Sequence, residues 1–170
     1  MRATSRVAAL AVAAWLPLAA RAADGTSDLL RLRVHRGAEP ATLLSSLLGD
    51  APAMVTFSAT YCPPCRAEVP VLRRAAARWR DRGVRVIAIA IDAEDAAEAA
   101  DMARDWGIDY EVYRLAEDAR EAAGRLAPLG LPVTFFVRRA DVSRLDRILT
   151  DEDVGRLVPE RLGLAGGPPG

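Results

Sequence analysis

The chain has 170 residues with 23 basic and 23 acidic side chains, so its formal net charge is zero. That balance gives no footing for nucleic-acid binding or for a polybasic membrane surface, and a hydrophobic content of 51% argues against a disordered chain. Every basic residue is Arg, which excludes a Lys nucleophile or Schiff base.

The length fits one domain of ordinary size. Residues 1–22 read as a secretory signal peptide. Arg2 and Arg6 open it, Val7 to Leu18 are almost wholly apolar, and Ala20-Arg21-Ala22 has the small-x-small pattern of a cleavage site. An uncleaved membrane anchor is the alternative, although the apolar run falls short of the ~20 residues that span a bilayer. Ala23 to Ser27 then form a polar, flexible lead-in. Leu30, Leu32 and Val34 alternate with Arg31, Arg33 and His35, which predicts a half-buried strand. Pro40 opens a short helix carrying Leu43, Leu44, Leu47 and Leu48, and Gly49-Asp50 ends it.

Met54 to Phe57 form an apolar strand. From Pro63 the pattern turns helical through Val69, Leu72, Ala76 and Trp79, with Pro70 inside and Gly83 as the stop. Val84 to Ile91 read as a strand covered on both faces. Asp92 to Trp106 form an Ala-rich helix that ends at Gly107. Tyr110 to Leu115 form a strand, and Glu117 to Ala123 a short helix. A strand at Val133 to Val137 follows Gly130-Leu131-Pro132, and Leu145 to Leu149 return antiparallel to it. Thr150 and Asp153 resemble a capping box that opens a last helix to about Leu162. Residues 164–170 have the composition of a flexible tail. Strands that alternate with helices predict an α/β fold, with a mostly parallel sheet and one antiparallel edge.

The chemistry lies in Thr60-Tyr61-Cys62-Pro63-Pro64-Cys65-Arg66. A strand delivers the chain to Cys62 and a helix begins at once. Unpaired N–H groups and the positive end of the helix dipole then favour a thiolate there. Pro63 suits the first helical position, because its missing N–H would be unpaired anyway. Pro64 stiffens the loop between the sulfurs. Cys62 is expected to be the exposed nucleophile that attacks a substrate disulfide. Cys65, one turn on, is expected to resolve the mixed disulfide. The pair closes too short a loop to serve as a structural staple. Zinc would require about four ligands, whereas His35 is the one His and no other Cys exists. Covalent haem would need His after the second Cys, where Arg66 stands. No metal and no cofactor other than a redox-active Cys62–Cys65 disulfide is therefore expected.

Three blocks together resemble the TlpA-like and ResA-like branch of the thioredoxin superfamily. They are Cys62-Pro63-Pro64-Cys65-Arg66-Ala67-Glu68-Val69-Pro70, the strand Val84 to Ile91 with its polar turn at Asp92, and Gly130-Leu131-Pro132-Val133-Thr134-Phe135. The resemblance spans about Ala53 to Gly163. It implies a thioredoxin-like domain over 23–163: a central mixed sheet flanked by helices, with an insertion between the Cys-motif helix and the strand after Pro132. It also implies a cis peptide before Pro132, beside the sulfurs, which would leave the backbone of Leu131 free to pair with an extended substrate segment. Glu68 matches an acidic residue near the thiols that could raise their pKa values and relay the proton of Cys65; a solvated helix position is its other reading. Thr56 stands where thioredoxin has a buried Asp. Tyr61 replaces the usual Trp, and as an aromatic it would cover the motif and touch partners. Tyr61, Pro63, Pro64 and Leu131 thus form the expected substrate-binding set.

By this resemblance the chain is an extracytoplasmic, monomeric thiol–disulfide oxidoreductase. It would reduce selected protein disulfides, in cytochrome c maturation or at copper sites, and a membrane thiol donor would recharge it. A net oxidant or isomerase stays open, since the redox potential sets the direction. A Cu(I)-handling module on the two soft thiolates also stays open.

Overall fold

The structure is a computed structural model that describes residues 26–164. The expected signal peptide at 1–22, the start of the lead-in, and the tail beyond Leu164 lie outside the described residues.

A 3-10 turn over Thr26–Arg31 leads into strand β1, Arg33–His35. The expected strand from Leu30 is thus mostly a turn. Leu29 and Leu32 are both buried, and a tight turn brings residues three apart to one side. The helix expected from Pro40 starts later. Thr42–Leu43 form β2, which pairs antiparallel with β1, and helix α1 covers Leu44–Leu48. Leu43 consequently faces outward, while Leu44 and Leu48 are buried.

The remaining elements are β3 (Ala53–Ser58), α2 (Pro63–Trp79), β4 (Arg85–Ala90), α3 (Ala96–Trp106), β5 (Glu111–Leu115), α4 (Arg120–Leu126), β6 (Val133–Arg138), β7 (Asp141–Leu145) and α5 (Asp151–Leu162). Helix α3 begins four residues later than its sequence predicts, because Asp95 caps it through the N–H of Glu98. The short helix expected at Glu117 opens as a 3-10 turn before α4. The return strand is Asp141–Leu145, not Leu145–Leu149. A two-residue turn at Arg139-Ala140 sets Arg138 opposite Asp141, with Arg139 at φ 55°. Thr150 and Asp153 form the capping box of α5, and Gly163 closes that helix at φ 61°.

The sheet order is β2-β1-β5-β4-β3-β6-β7. Only β3–β4 and β4–β5 are parallel, and the other four pairings are antiparallel. The sheet is therefore mixed, with antiparallel pairing at both edges, where the sequence predicts mostly parallel strands. Side-chain alternation divides its faces. Ala53, Val55, Phe57, Ile87, Ile89, Val133 and Phe135 join the core under the N-terminal turn, α1 and α4. Met54, Val86 and Phe136 point the other way, against Leu72 and Trp79 of α2 and Val154, Leu157 and Val158 of α5. All six residues of β3 are buried, as a central strand covered on both faces must be. Among the described residues, no helix is long and apolar enough to cross a membrane.

Candidate active site

The site stands where β3 hands the chain to α2. Ser58 ends the strand, and a turn closed by the N–H of Cys62 on the carbonyl of Ala59 (2.9 Å) redirects the backbone. Cys62 is the N-cap of α2, with extended backbone at φ −100°, ψ 90°. Pro63 and Pro64 fill the first two helical positions and carry no N–H. The first N–H the helix offers is therefore that of Cys65, and it donates to Cys62 Sγ at 3.2 Å. The N–H of Arg66 turns back to the carbonyl of Cys62.

Cys62 and Cys65 form a disulfide with Cα atoms 5.3 Å apart. Cys62 is 5% exposed and Cys65 2%. The expected ranking holds, but Cys62 is not the open sulfur the sequence suggests: the turn before it and the residues packed around it cover most of its surface. Ala59, Cys62 and Cys65 form a small buried cluster, with Ile91, Trp106 and Leu131 packed against it. Trp106, at the end of α3, is the aromatic in contact with this cluster. Tyr61 is instead 72% exposed; it stands out beside the motif without covering it. Pro63 is exposed and Pro64 half-buried. The Leu131–Pro132 peptide is cis, with Pro132 buried and Leu131 half-buried against the sulfur cluster.

Glu68 is 1% exposed, so it is not a solvated helix residue. It lies three residues after Cys65, on the same inward face of α2. Its Oε1 accepts the backbone N–H of Leu149, at the entry to α5. Burial pushes its carboxyl up to about 7, against the lowering effect of the hydrogen bonds from Leu149 and the Thr56 side chain. Thr56 lies on β3 directly opposite Thr134 of β6, and the Thr134 hydroxyl donates to Thr56 Oγ1 at 3.4 Å. Nearby Tyr110 has its phenol held well above the usual range, by burial first and by the Glu68 charge second. A buried carboxyl that can hold or release a proton near neutrality thus shares a helix face with the more buried sulfur.

Two features of the site go beyond what the sequence marks. Trp106 stands in the sequence only as a helix end, and its place against the sulfurs depends on how α3 crosses the sheet. Asp92 stands there as the head of a predicted helix. Its carboxylate instead accepts the N–H of Thr60 (2.9 and 3.1 Å) and the Thr60 hydroxyl (2.5 Å). In sequence Thr60 lies three residues past the apolar run Met54 to Phe57 and Asp92 one past Val84 to Ile91, so no local signal pairs them.

Among the described residues, no group of three or more His, Cys, Asp or Glu could hold a metal ion. The AhpC/TSA family model matches residues 33–142. The thiol-disulfide oxidoreductase ResA of Oceanobacillus iheyensis is 26% identical over 121 residues, covering 69% of this chain; the chain spans 60% of that relative's length. A thiol:disulfide interchange protein of the thioredoxin family from Chlorobium tepidum superposes with TM-score 0.60 at 25% identity, over 78% of this chain and 96% of that one. A thiol:disulfide interchange protein from Bacteroides sp. gives TM-score 0.66 at 16% identity, over 79% and 87%. A secreted Mycobacterium tuberculosis disulfide oxidoreductase gives TM-score 0.60 at 19% identity, over 81% and 98%. Family match and superposed architecture agree: the chain has the thioredoxin-like fold and belongs to the AhpC/TSA family.

Proposed function

We propose that this protein is a thiol–disulfide oxidoreductase acting on protein disulfides through Cys62 and Cys65. One observation carries the reading. Cys62 Sγ sits at the N-cap of α2, takes the N–H of Cys65, and is already bonded to Cys65, with Leu131 packed against the pair. The dithiol form reacts as follows. The Cys62 thiolate attacks a substrate disulfide; one substrate sulfur leaves as a thiolate, and a mixed disulfide forms on Cys62. The Cys65 thiol passes its proton to Glu68, and its thiolate attacks Cys62 Sγ. The second substrate thiolate leaves, and the Cys62–Cys65 disulfide remains. Two electrons have moved to the substrate, and a second dithiol must return them. The half-buried backbone at Leu131 is where an extended substrate segment would pair, with Tyr61, Pro63 and Pro64 at the rim.

The net direction we favour is reduction of selected disulfides in an extracytoplasmic compartment, such as those of cytochrome c maturation or copper-site proteins. The protein would work as a monomer, with a membrane thiol donor recharging it and residues 1–22 acting as the export signal. The relative named as a thiol-disulfide oxidoreductase supports the dithiol chemistry, and the one named as secreted supports the extracytoplasmic placement. A glutathione-referenced potential below about −220 mV agrees with a reductase, and one near about −120 mV would make the protein an oxidant. The mechanism is tested by trapping with Cys65→Ser in the native compartment. Mixed disulfides should accumulate on Cys62. If none form while the wild type turns over, Cys62 is not the attacking sulfur.

A further inference from the structure

Strands β3 and β4 run parallel in a constant register, from Ala53 opposite Arg85 to Ser58 opposite Ala90. The N–H of Ile91 extends the pairing to the carbonyl of Ser58 at 2.9 Å. One further step in that register sets Thr60 against Asp92. Both chains have left the sheet there, and backbone pairing gives way to a carboxylate. Both oxygens of Asp92 accept the N–H of Thr60, and Oδ2 also accepts its hydroxyl. Thr60 is the first central residue of the turn that Cys62 closes on Ala59. The next residues are exposed Tyr61 and then Cys62 itself. This turn has no regular secondary structure to hold it, and Asp92 grips its corner from the segment that leaves β4.

We propose that Asp92 is a positioning residue for Cys62: by clamping Thr60 it fixes the turn that holds the Cys62 sulfur within bonding reach of Cys65. The inference rests on the dithiol reading of that pair. Its consequence is entropic. A fixed turn pre-organises the two sulfurs in the reduced protein, so less freedom is lost when they bond. Freed from the clamp, the reduced form gains conformations and the disulfide becomes easier to reduce.

The test equilibrates the full chain with glutathione redox buffers at pH 7 and counts free thiols by alkylation, with circular dichroism to verify folding. Asp92→Ala should lower the equilibrium constant for disulfide formation roughly tenfold, equivalent to about 30 mV. Asp92→Asn keeps an acceptor oxygen without the charge and should stay within roughly threefold of wild type. Thr60→Ser keeps both donors and should match wild type. If Asp92→Ala matches wild type, the clamp does not position the sulfur. If Asp92→Asn falls as far as Asp92→Ala, loss of charge explains the shift and the clamp is overturned. Should Asp92→Ala not fold, Thr60→Val removes the hydroxyl bond alone and should lower the constant roughly threefold; an unchanged value there also overturns the proposal. A wild-type disulfide that neither glutathione nor dithiothreitol reduces would defeat the dithiol reading itself.

Discussion

Replacing Glu68 by Gln should stabilise the oxidised protein at alkaline pH and leave it unchanged near pH 4. Glu68 is buried, and its carboxyl lies at about 7 against an ordinary 4.5. Its folded pKa is thus raised above the unfolded value. Below about pH 4.5 the group is protonated in both states and costs nothing. As pH rises from there to the folded value, the unfolded chain ionises while the native protein keeps its carboxyl protonated in a poorly solvated site, and stability is lost. A shift of about 2.5 units corresponds to roughly 3 kcal/mol at full ionisation. Gln has nearly the same shape and retains a carbonyl for the N–H of Leu149, while its amide can donate to Thr56. The measurement is urea unfolding of wild type and Glu68→Gln at pH 4, 5, 6, 7 and 8, followed by circular dichroism. All other titrating groups are common to both proteins, so the difference curve isolates Glu68. It should be flat at about zero near pH 4 and climb across about pH 4.5–7 towards ~3 kcal/mol in favour of the variant. Parallel curves, or a variant less stable at pH 8, would refute the desolvation argument.

Pro64→Ala restores an N–H to the second helical position, where it can reach the N-cap sulfur; the Cys62 thiol pKa, read from alkylation rate against pH, should fall by roughly half a unit to one unit. Trp106 packs on the sulfur cluster, whereas Trp79 lies in the separate core of α2 and α5. Reduction should therefore change tryptophan emission, and Trp106→Phe should abolish that change; a change that survives would place the reporter elsewhere. Asp153→Ala removes half of the capping box and the ion pair to Arg147, at a cost of roughly 1–2 kcal/mol in urea unfolding. Asp153 is held well below the usual carboxylate range, first by the hydrogen bonds from Arg147. Its stabilisation is present above the ordinary Asp pKa and fades as pH falls, so variant and wild type should converge in strong acid.

The site is legible in sequence where local chemistry fixes it. Two prolines just ahead of a helical apolar period fit best in the first turn of that helix, and that places Cys62 at an N-cap and Cys65 one turn inside. Continuous apolar runs at Met54–Phe57 and Val84–Ile91 mark strands covered on both faces whatever packs on them. Thr150 and Asp153 announce their capping box within four residues. Local pattern misleads where the deciding partner is distant along the chain. Alternation at Leu30–Val34 suggests a strand and cannot reveal a 3-10 turn, because burial against α1 and α4 selects it. Sheet direction depends on pairing between strands up to about eighty residues apart, which no local pattern records.

Residues 62, 63, 64 and 65 carry their meaning in their order, since dihedral restriction and missing donors act between neighbours. Glu68, Asp92 and Trp106 do not. A carboxylate on a helix is solvated or buried according to what the sheet brings against it. Glu68 became a group near neutrality only because β3, β6 and the entry to α5 close over it. Asp92 met Thr60 only because β3 and β4 pair in one particular register. Desolvation and register are properties of the assembled sheet, so the tertiary structure alone decided which side chains surround the two sulfurs.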